Sequence, residues 1–349
     1  MARDPGRAPR GLTARQRCVT LARTSQGKRT MLRRSLLTAA GALPLAPMAR
    51  AQSFPSRPIT VLVPFVAGGP SDIVARVIAA RLGATLGQPA VAENRVGANG
   101  AIAGGLLARA APDGHTLLVG SIGVFAINPA LRNNLPYDPV RDFAPLSLCV
   151  TTPNVLVVND KVPARDVAQL VAWLKANPGS YSTSGVGSSD HLTAELFKQA
   201  TGTDVTHVPY GGGAAAATDL IAGNVQMSFQ NLGTVAGHIS GGRLRALAVT
   251  SAQRHPTIPD VPTMVEQGFP DFVVTSWQAA ATRAGTPAPI VERLNAEIVA
   301  GLTSAETMAR LEVIGFSVVG SSPAELAKFQ SDEMARWKRV ITTASIRAE

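Results

Sequence analysis

The sequence predicts an α/β fold of two lobes with a ligand cleft between them, on three observations. Strand and helix patterns alternate from Ile59 to Gly120, a second such unit opens at Asn154, and after Trp277 the chain returns to long helices. Alternation of this kind builds a largely parallel sheet. A chain that leaves one unit and comes back joins its lobes by more than one strand, and ligands favour the cleft between such lobes.

In chain order, the first unit reads as a strand over 59–63, a helix over 72–86, a strand over 90–93, a helix over 100–110 and a strand over 116–120. Gly87-Gln88-Pro89, Gly97-Ala98-Asn99-Gly100 and Pro112-Asp113-Gly114 supply turn formers at the junctions. The second unit has a strand over 154–158, a helix over 164–176 stopped by Asn177-Pro178-Gly179, a strand over 181–184 and a helix from Ser189. A short strand ending at Tyr210 leads into an alanine-rich helix over 214–222, residues 244–250 form a buried strand, and the Pro-rich run 255–262 is a loop. The closing helices, 288–302 and 323–341, are opened by Thr286-Pro287 and Ser322-Pro323, following the preference for a hydroxyl cap before proline. The expected division is 52–153 plus 272–349 for one lobe and 154–271 for the other.

A formal charge of +10 suggests nucleic acid or an acidic membrane as partner, until its location is considered. Residues 1–51 hold eleven of the 33 Lys/Arg but only one of the 23 Asp/Glu, so the remainder balances at 22 of each. No nucleic-acid partner is therefore expected. The same 51 residues have the order of an export signal: Arg33-Arg34, an apolar run over 36–45, and Ala49-Arg50-Ala51 as the small-residue site. Cleavage after Ala51 and export from the cytoplasm follow. The apolar run is shorter than the ~20 residues a membrane span needs, and the twin arginines also permit a folded-export route. The preceding basic leader lacks an apolar pattern, so Met31 is the expected start. After cleavage only Cys149 survives of two cysteines, which excludes an intramolecular disulfide. Flanked by Leu148 and Val150, with no cation near in sequence, it reads as buried and inert.

The turn Val63-Pro64-Phe65-Val66-Ala67-Gly68-Gly69-Pro70-Ser71-Asp72 carries a β-branched strand through paired glycines into a helix. Such a turn can cradle an anion, because free N–H groups point out of the helix start and glycine lets a ligand approach the backbone. Ser71 or Asp72 can cap the helix. The turn lacks the Lys-Ser/Thr of a phosphate loop and the G-x-G-x-x-G spacing of a dinucleotide site, so nucleotide is disfavoured. Two further turns of this kind lie at 184–191, rich in Gly and Ser, and at 210–218. A plain connector capped by Ser189 or Asp190 explains part of the second turn, but not its density of small donors.

His191 and Glu195, four apart on one helical face, offer two of the three or four ligands a metal needs, so a solvated pair and no metal are expected. A lone His207 on a strand reads as structural, and no H-E-x-x-H or G-x-S-x-G motif occurs. No catalytic residue and no cofactor are assigned. Three readings stay open at this point: a transport receptor, an exported enzyme using Asp72, His191 or His207 as acid or base, and a ligand-binding accessory of a sensory receptor.

Several stretches together resemble the Bug family, the periplasmic solute receptors of tripartite tricarboxylate transporters. They are Arg57-Pro58-Ile59 through Pro64-Phe65 with Gly68-Gly69 and Asp72; Glu93-Asn94-Arg95 with Gly97-Ala98; Pro112-Asp113-Gly114-His115-Thr116-Leu117; and Ser188-Ser189 with His191-Leu192. His207-Val208-Pro209-Tyr210, Arg245-Ala246-Leu247-Ala248-Val249-Thr250, Pro259-Asp260-Val261-Pro262-Thr263, Trp277 and Gly285-Thr286-Pro287 extend the resemblance over 54–345. It implies a type II periplasmic-binding-protein fold that closes over a small carboxylated solute and delivers it to integral-membrane permease subunits. The receptor is expected to be monomeric. The Gly-Gly turn and the Gly/Ser turn of the other lobe would face each other, commonly with ordered water at the ligand. By position, the implied ligand shell is Phe65, Ala67, Gly68, Gly69, Ser71, Asp72, Ser121, Gly187, Ser188, Ser189, Tyr210 and Gln230. The chain departs from the family pattern where a lysine is Gly211, a proline is Ala215 and an aspartate is Gln230, and near Trp277 at Ala279 and Arg283.

Overall fold

The computed structural model describes residues 54–343 and 345–347. The export signal, its cleavage site and the choice of start codon lie outside them. The first unit forms as β1 (Ile59–Val63), α1 (Pro70–Thr85), β2 (Ala90–Asn94), α2 (Ala101–Ala108) and β3 (Thr116–Ser121). β1 is buried along nearly its whole length and pairs in parallel with β2 and β3, which is why it reads as a continuous apolar run. A π-type turn over Gly123–Ile127 and the short α3 (Asn128–Leu131) follow.

The centre of the molecule is β4 (Phe143–Val158). Residues 143–153 of β4 pair antiparallel with β9 (Thr275–Arg283), and residues 154–158 pair antiparallel with β7 (Met227–Asn231) and β8 (Arg245–Val249). The second unit comprises α4 (Val167–Ala176), β5 (Ser180–Thr183), α5 (Ser189–Thr201), β6 (Thr206–Pro209), α6 (Gly213–Ala222) and α7 (Leu232–Ser240). β5 is parallel to β6 and β7. The strand order is β2-β1-β3-β9-β4-β7-β5-β6, with β8 and the short β10 (Ser317–Val318) also on β4. The expected, largely parallel sheet is therefore corrected to a mixed one, parallel on its flanks and antiparallel where β4 and β9 run through the middle.

The chain closes with α8 (Ala288–Leu302), α9 (Ala305–Val313) and α10 (Pro323–Thr343). Ser322 and Glu325 form a reciprocal cap at the start of α10, the Ser322 N–H donating to Glu325 Oε2 at 2.8 Å and the Glu325 N–H to Ser322 Oγ at 3.3 Å. Buried Glu333 ties α10 to the sheet, accepting from the indole N–H of Trp277 at 2.9 Å and of Trp337 at 3.0 Å. Among the described residues, no helix is long and apolar enough to cross a membrane.

Candidate functional site

The start of α1 is capped by Gly69, with Pro70 in the first turn, rather than by the expected Ser71 or Asp72. Both side chains are used elsewhere. The Ser71 hydroxyl donates to Gln278 Oε1 on β9 at 2.5 Å, while Asp72 accepts from the Gly68 N–H at 2.9 Å, from Asn94 at 2.9 Å and from Arg76. Burial acts to raise the Asp72 pKa, but the Arg76 guanidinium, the Gly68 N–H and the Asn94 amide hold it below the ordinary value. Asp72 thus keeps its charge and clamps the glycine turn onto the helix. The cost is one expected donor, because the Gly68 amide is satisfied internally.

At α5 the cap is Ser188, not Ser189 or Asp190: its Oγ receives the His191 N–H at 3.4 Å and donates to the Gly185 carbonyl at 2.6 Å. Ser189 accepts from Asn231 at 3.3 Å and Ser121 accepts from the Gly123 N–H at 3.3 Å, so both hydroxyls keep a proton for a ligand. α6 starts at Gly213 behind Gly212. Among the described residues no acceptor meets the N–H groups of Ser71, Ser189 or Gly213, the early amides that a helix start leaves free.

These helix starts converge on one cavity of about 130 Å³. Of the twelve expected residues, Phe65, Gly69, Ser71, Ser121, Ser188 and Ser189 line it. Ala67 and Gly68 line only an adjoining outer chamber. The other four line neither. Asp72 is held by its clamp. Gly187 lies behind the surface, its N–H donating to His191 Nδ1 at 3.1 Å and its carbonyl accepting from Asn99 at 2.8 Å. Tyr210 turns its hydroxyl to Asp219 of α6 at 2.5 Å, and burial together with that carboxylate pushes its pKa up to about 12. Gln230 sits beneath the floor, its Nε2 donating to Asp190 Oδ2 at 3.2 Å and to Ser228.

Sequence reading missed Asn99, Ser184, Asp190, Asn231, Ser276 and Gln278, all of which face the cavity. Asp190 is the most consequential. Its Oδ2 receives the Ser184 N–H at 2.6 Å, the Ser184 hydroxyl at 2.9 Å and the Gln230 amide. Burial nevertheless outweighs the Ser188 and Ser184 hydrogen bonds and raises its pKa. A signal for Asp190 was present in the dense Gly/Ser turn; Ser276 and Gln278 had none, because both are placed by pairing with β4, more than 120 residues earlier in the chain.

His191 and His207 serve the loop rather than chemistry. Their rings stack 4.0 Å apart, with Tyr181 against His207 at 4.9 Å, and His207 Nε2 contacts Thr183 Oγ1 at 2.7 Å. Glu195 receives the Tyr181 hydroxyl at 2.5 Å and Lys198 at 3.0 Å, so the His191/Glu195 pair is engaged separately. Cys149 is fully buried, and burial pushes its thiol up to about 12.

Among the described residues the site therefore offers amides, hydroxyls and amide side chains beside the Asp190 carboxyl group, with no Lys or Arg lining either chamber. A family model described as "Tripartite tricarboxylate transporter family receptor" matches residues 74–346. The chain belongs to that family. BugT of Bordetella pertussis is 38% identical over 83% of this chain and 90% of its own length. Among solved structures, R. palustris Rpa4515 with adipate has a TM-score of 0.80 at 38% identity, covering 84% of this chain and 99% of that one. MatC from Rhodopseudomonas palustris with bound malate has a TM-score of 0.77 at 35% identity, covering 82% and 100%. Both solved structures share the mixed α/β fold described above.

Proposed function

We propose that the chain is a periplasmic receptor that binds a small carboxylate without altering it and passes it to the membrane permease of a tripartite transporter. The observation that carries this reading is the convergence of free amides from α1, α5 and α6 on one cavity. Helix starts favour anions by about 0.3–1 kcal/mol each, and up to ~2 kcal/mol when partly buried. Micromolar affinity needs about 8 kcal/mol. Charge-assisted hydrogen bonds of roughly 1.5–3 kcal/mol each, from Ser121, Ser189 and the free amides, supply the larger share. The adipate and malate bound by the two R. palustris proteins fit the same donor chemistry.

An enzymatic role draws no support from the site, since Asp72, His191 and His207 are each committed to structural partners. In the receptor reading, 52–153 plus 272–349 and 154–271 close over the solute as two bodies, and a monomeric closed form is what the permease recognises. Calorimetric titration of the purified protein with a panel of mono-, di- and tricarboxylates tests it. One-to-one binding of a carboxylate, recovered unchanged, supports the proposal; heat from none of them refutes it.

A further inference from the structure

The carboxylate cavity opens into a second chamber of about 570 Å³, and the two share Val66, Gly69 and the bare backbone of residues 211–213. Ligand pockets commonly measure about 300–1,000 Å³, so the inner cavity, at about 130 Å³, falls short of that range alone. Most of the room lies outside it. The outer walls combine the apolar side chains Ile73, Ile314 and Phe316 and the small Ala215 with the uncharged polar side chains Thr218, Asn231 and Thr234. The titratable side chain there is His238, which burial and nearby Arg243 keep in its neutral form. Among the described residues, no charged side chain lines the outer chamber to oppose an apolar occupant.

The bareness of the rim is not imposed by the backbone. A Cβ on Gly211 would meet nothing within 4 Å, and Gly211 does not adopt a positive φ. Ala215 is exposed on the first turns of α6, where larger side chains are equally compatible with helix. Small residues at both positions leave the chamber open.

We infer that the solute is an amphipathic carboxylate, its acid group in the inner cavity and an apolar body, an aryl ring or a chain of several carbons, in the outer chamber past Gly211 and Ala215. This rests on the carboxylate reading and narrows it. Each methylene buried against those walls tightens binding roughly fourfold.

The test compares acids that share a head group, acetate against 4-phenylbutanoate and succinate against benzylsuccinate, by calorimetry on the wild-type protein and on Ala215→Leu and Gly211→Leu. The bodied acid of at least one pair is expected to bind at least about tenfold more tightly than its parent. Ala215→Leu, which touches only the outer chamber, should cost that acid at least about tenfold and its parent less than about twofold. Gly211→Leu should act in the same direction. Parents that bind as well as the bodied acids, or an Ala215→Leu penalty equal for both, would overturn the inference while leaving the carboxylate reading intact. Binding of neither member of either pair would overturn the inference, and the carboxylate reading falls with it only if the full mono-, di- and tricarboxylate panel also gives no heat.

Discussion

Asn99, in the turn after β2, donates its side-chain amide to the carbonyl of Gly187, in the turn before α5, at 2.8 Å. The bond links a turn of the first unit to a turn of the second, beside the cavity that Asn99 lines. Asn99 holds a left-handed φ of 51°, and its own carbonyl accepts from Asn128 at 2.9 Å. Glycine tolerates that backbone where alanine would strain it, so Asn99→Gly removes the latch without backbone strain, together with the long 3.4 Å bond from the same amide to Asn128 Oδ1. Loss of one such bond is expected to cost about 0.5–1.5 kcal/mol of ligand affinity. Calorimetry measures it, and small-angle scattering should show a more open ligand-free form.

Gly69 has an ordinary extended φ of −77°, and an added Cβ would lie 3.3 Å from the Val66 carbonyl oxygen. Gly69→Val is allowed by that φ but must ease a tight contact and replaces a better cap, so it is expected to fold with a loss of about 1–2 kcal/mol in unfolding free energy. Its methyl groups stand over the free amides of α1, and carboxylate affinity should fall by at least about tenfold, or roughly 1.4 kcal/mol. Unchanged affinity in a folded variant would show that these amides do not hold the ligand.

Burial raises the Asp190 pKa, and a bound anion beside it favours the protonated form further. Binding should therefore take up protons, and affinity should rise as pH falls toward that raised pKa. A raised carboxylate also makes native stability decline as pH climbs from the ordinary carboxylate range through the raised value. In Asp190→Asn a single side-chain oxygen can still receive the Ser184 and Gln230 donors that now meet Oδ2. The variant should be at least as stable at neutral pH and bind with no proton uptake. Titrations in buffers of different ionisation enthalpy separate the two proteins.

Burial, reinforced by His207 and Lys198, depresses His191 to about 3, and burial depresses His207 to about 4, with Lys198 adding and Glu195 opposing. Both fold in the neutral form, so their contribution is present above about pH 6.5 and is lost as pH falls through the folded values. The slope approaches about 1.4 kcal/mol per pH unit for each histidine. Protonation at Nδ1 would also remove the acceptor of the Gly187 N–H. Urea midpoints measured from pH 7 to pH 4 should fall steeply, and His191→Asn, which retains an acceptor, should flatten part of the decline.

Local pattern made the first unit legible: β1, α1, β2 and β3 fall within a few residues of expectation because each alternates apolar burial with strong turn formers. β9 was not legible, since the run Ala279-Ala280-Ala281 carries little strand propensity and is held there by pairing on both sides with β3 and β4. Pro145 and Pro153 hid the length of β4; register shifts around Pro145 and Leu148 accommodate it. α7 was obscured by Gly233 and Gly237, and Gly233 is required there because a Cβ would sit 2.5 Å from the Ile314 carbonyl oxygen. At the site, the glycine and serine turns were readable as donors, whereas the diversion of Asp72, Tyr210 and Gln230 to other partners depends on side-chain contacts that local pattern does not encode.

A crystal structure of the protein with the best-binding carboxylate from the titration panel bears most directly on the central claim. The expected result places carboxylate oxygens within hydrogen-bond distance of the free amides of Ser71, Ser189 or Gly213 and of the Ser121 or Ser189 hydroxyl, with no Lys or Arg in contact. A ligand seated elsewhere, or held there by a guanidinium or ammonium group, would contradict it.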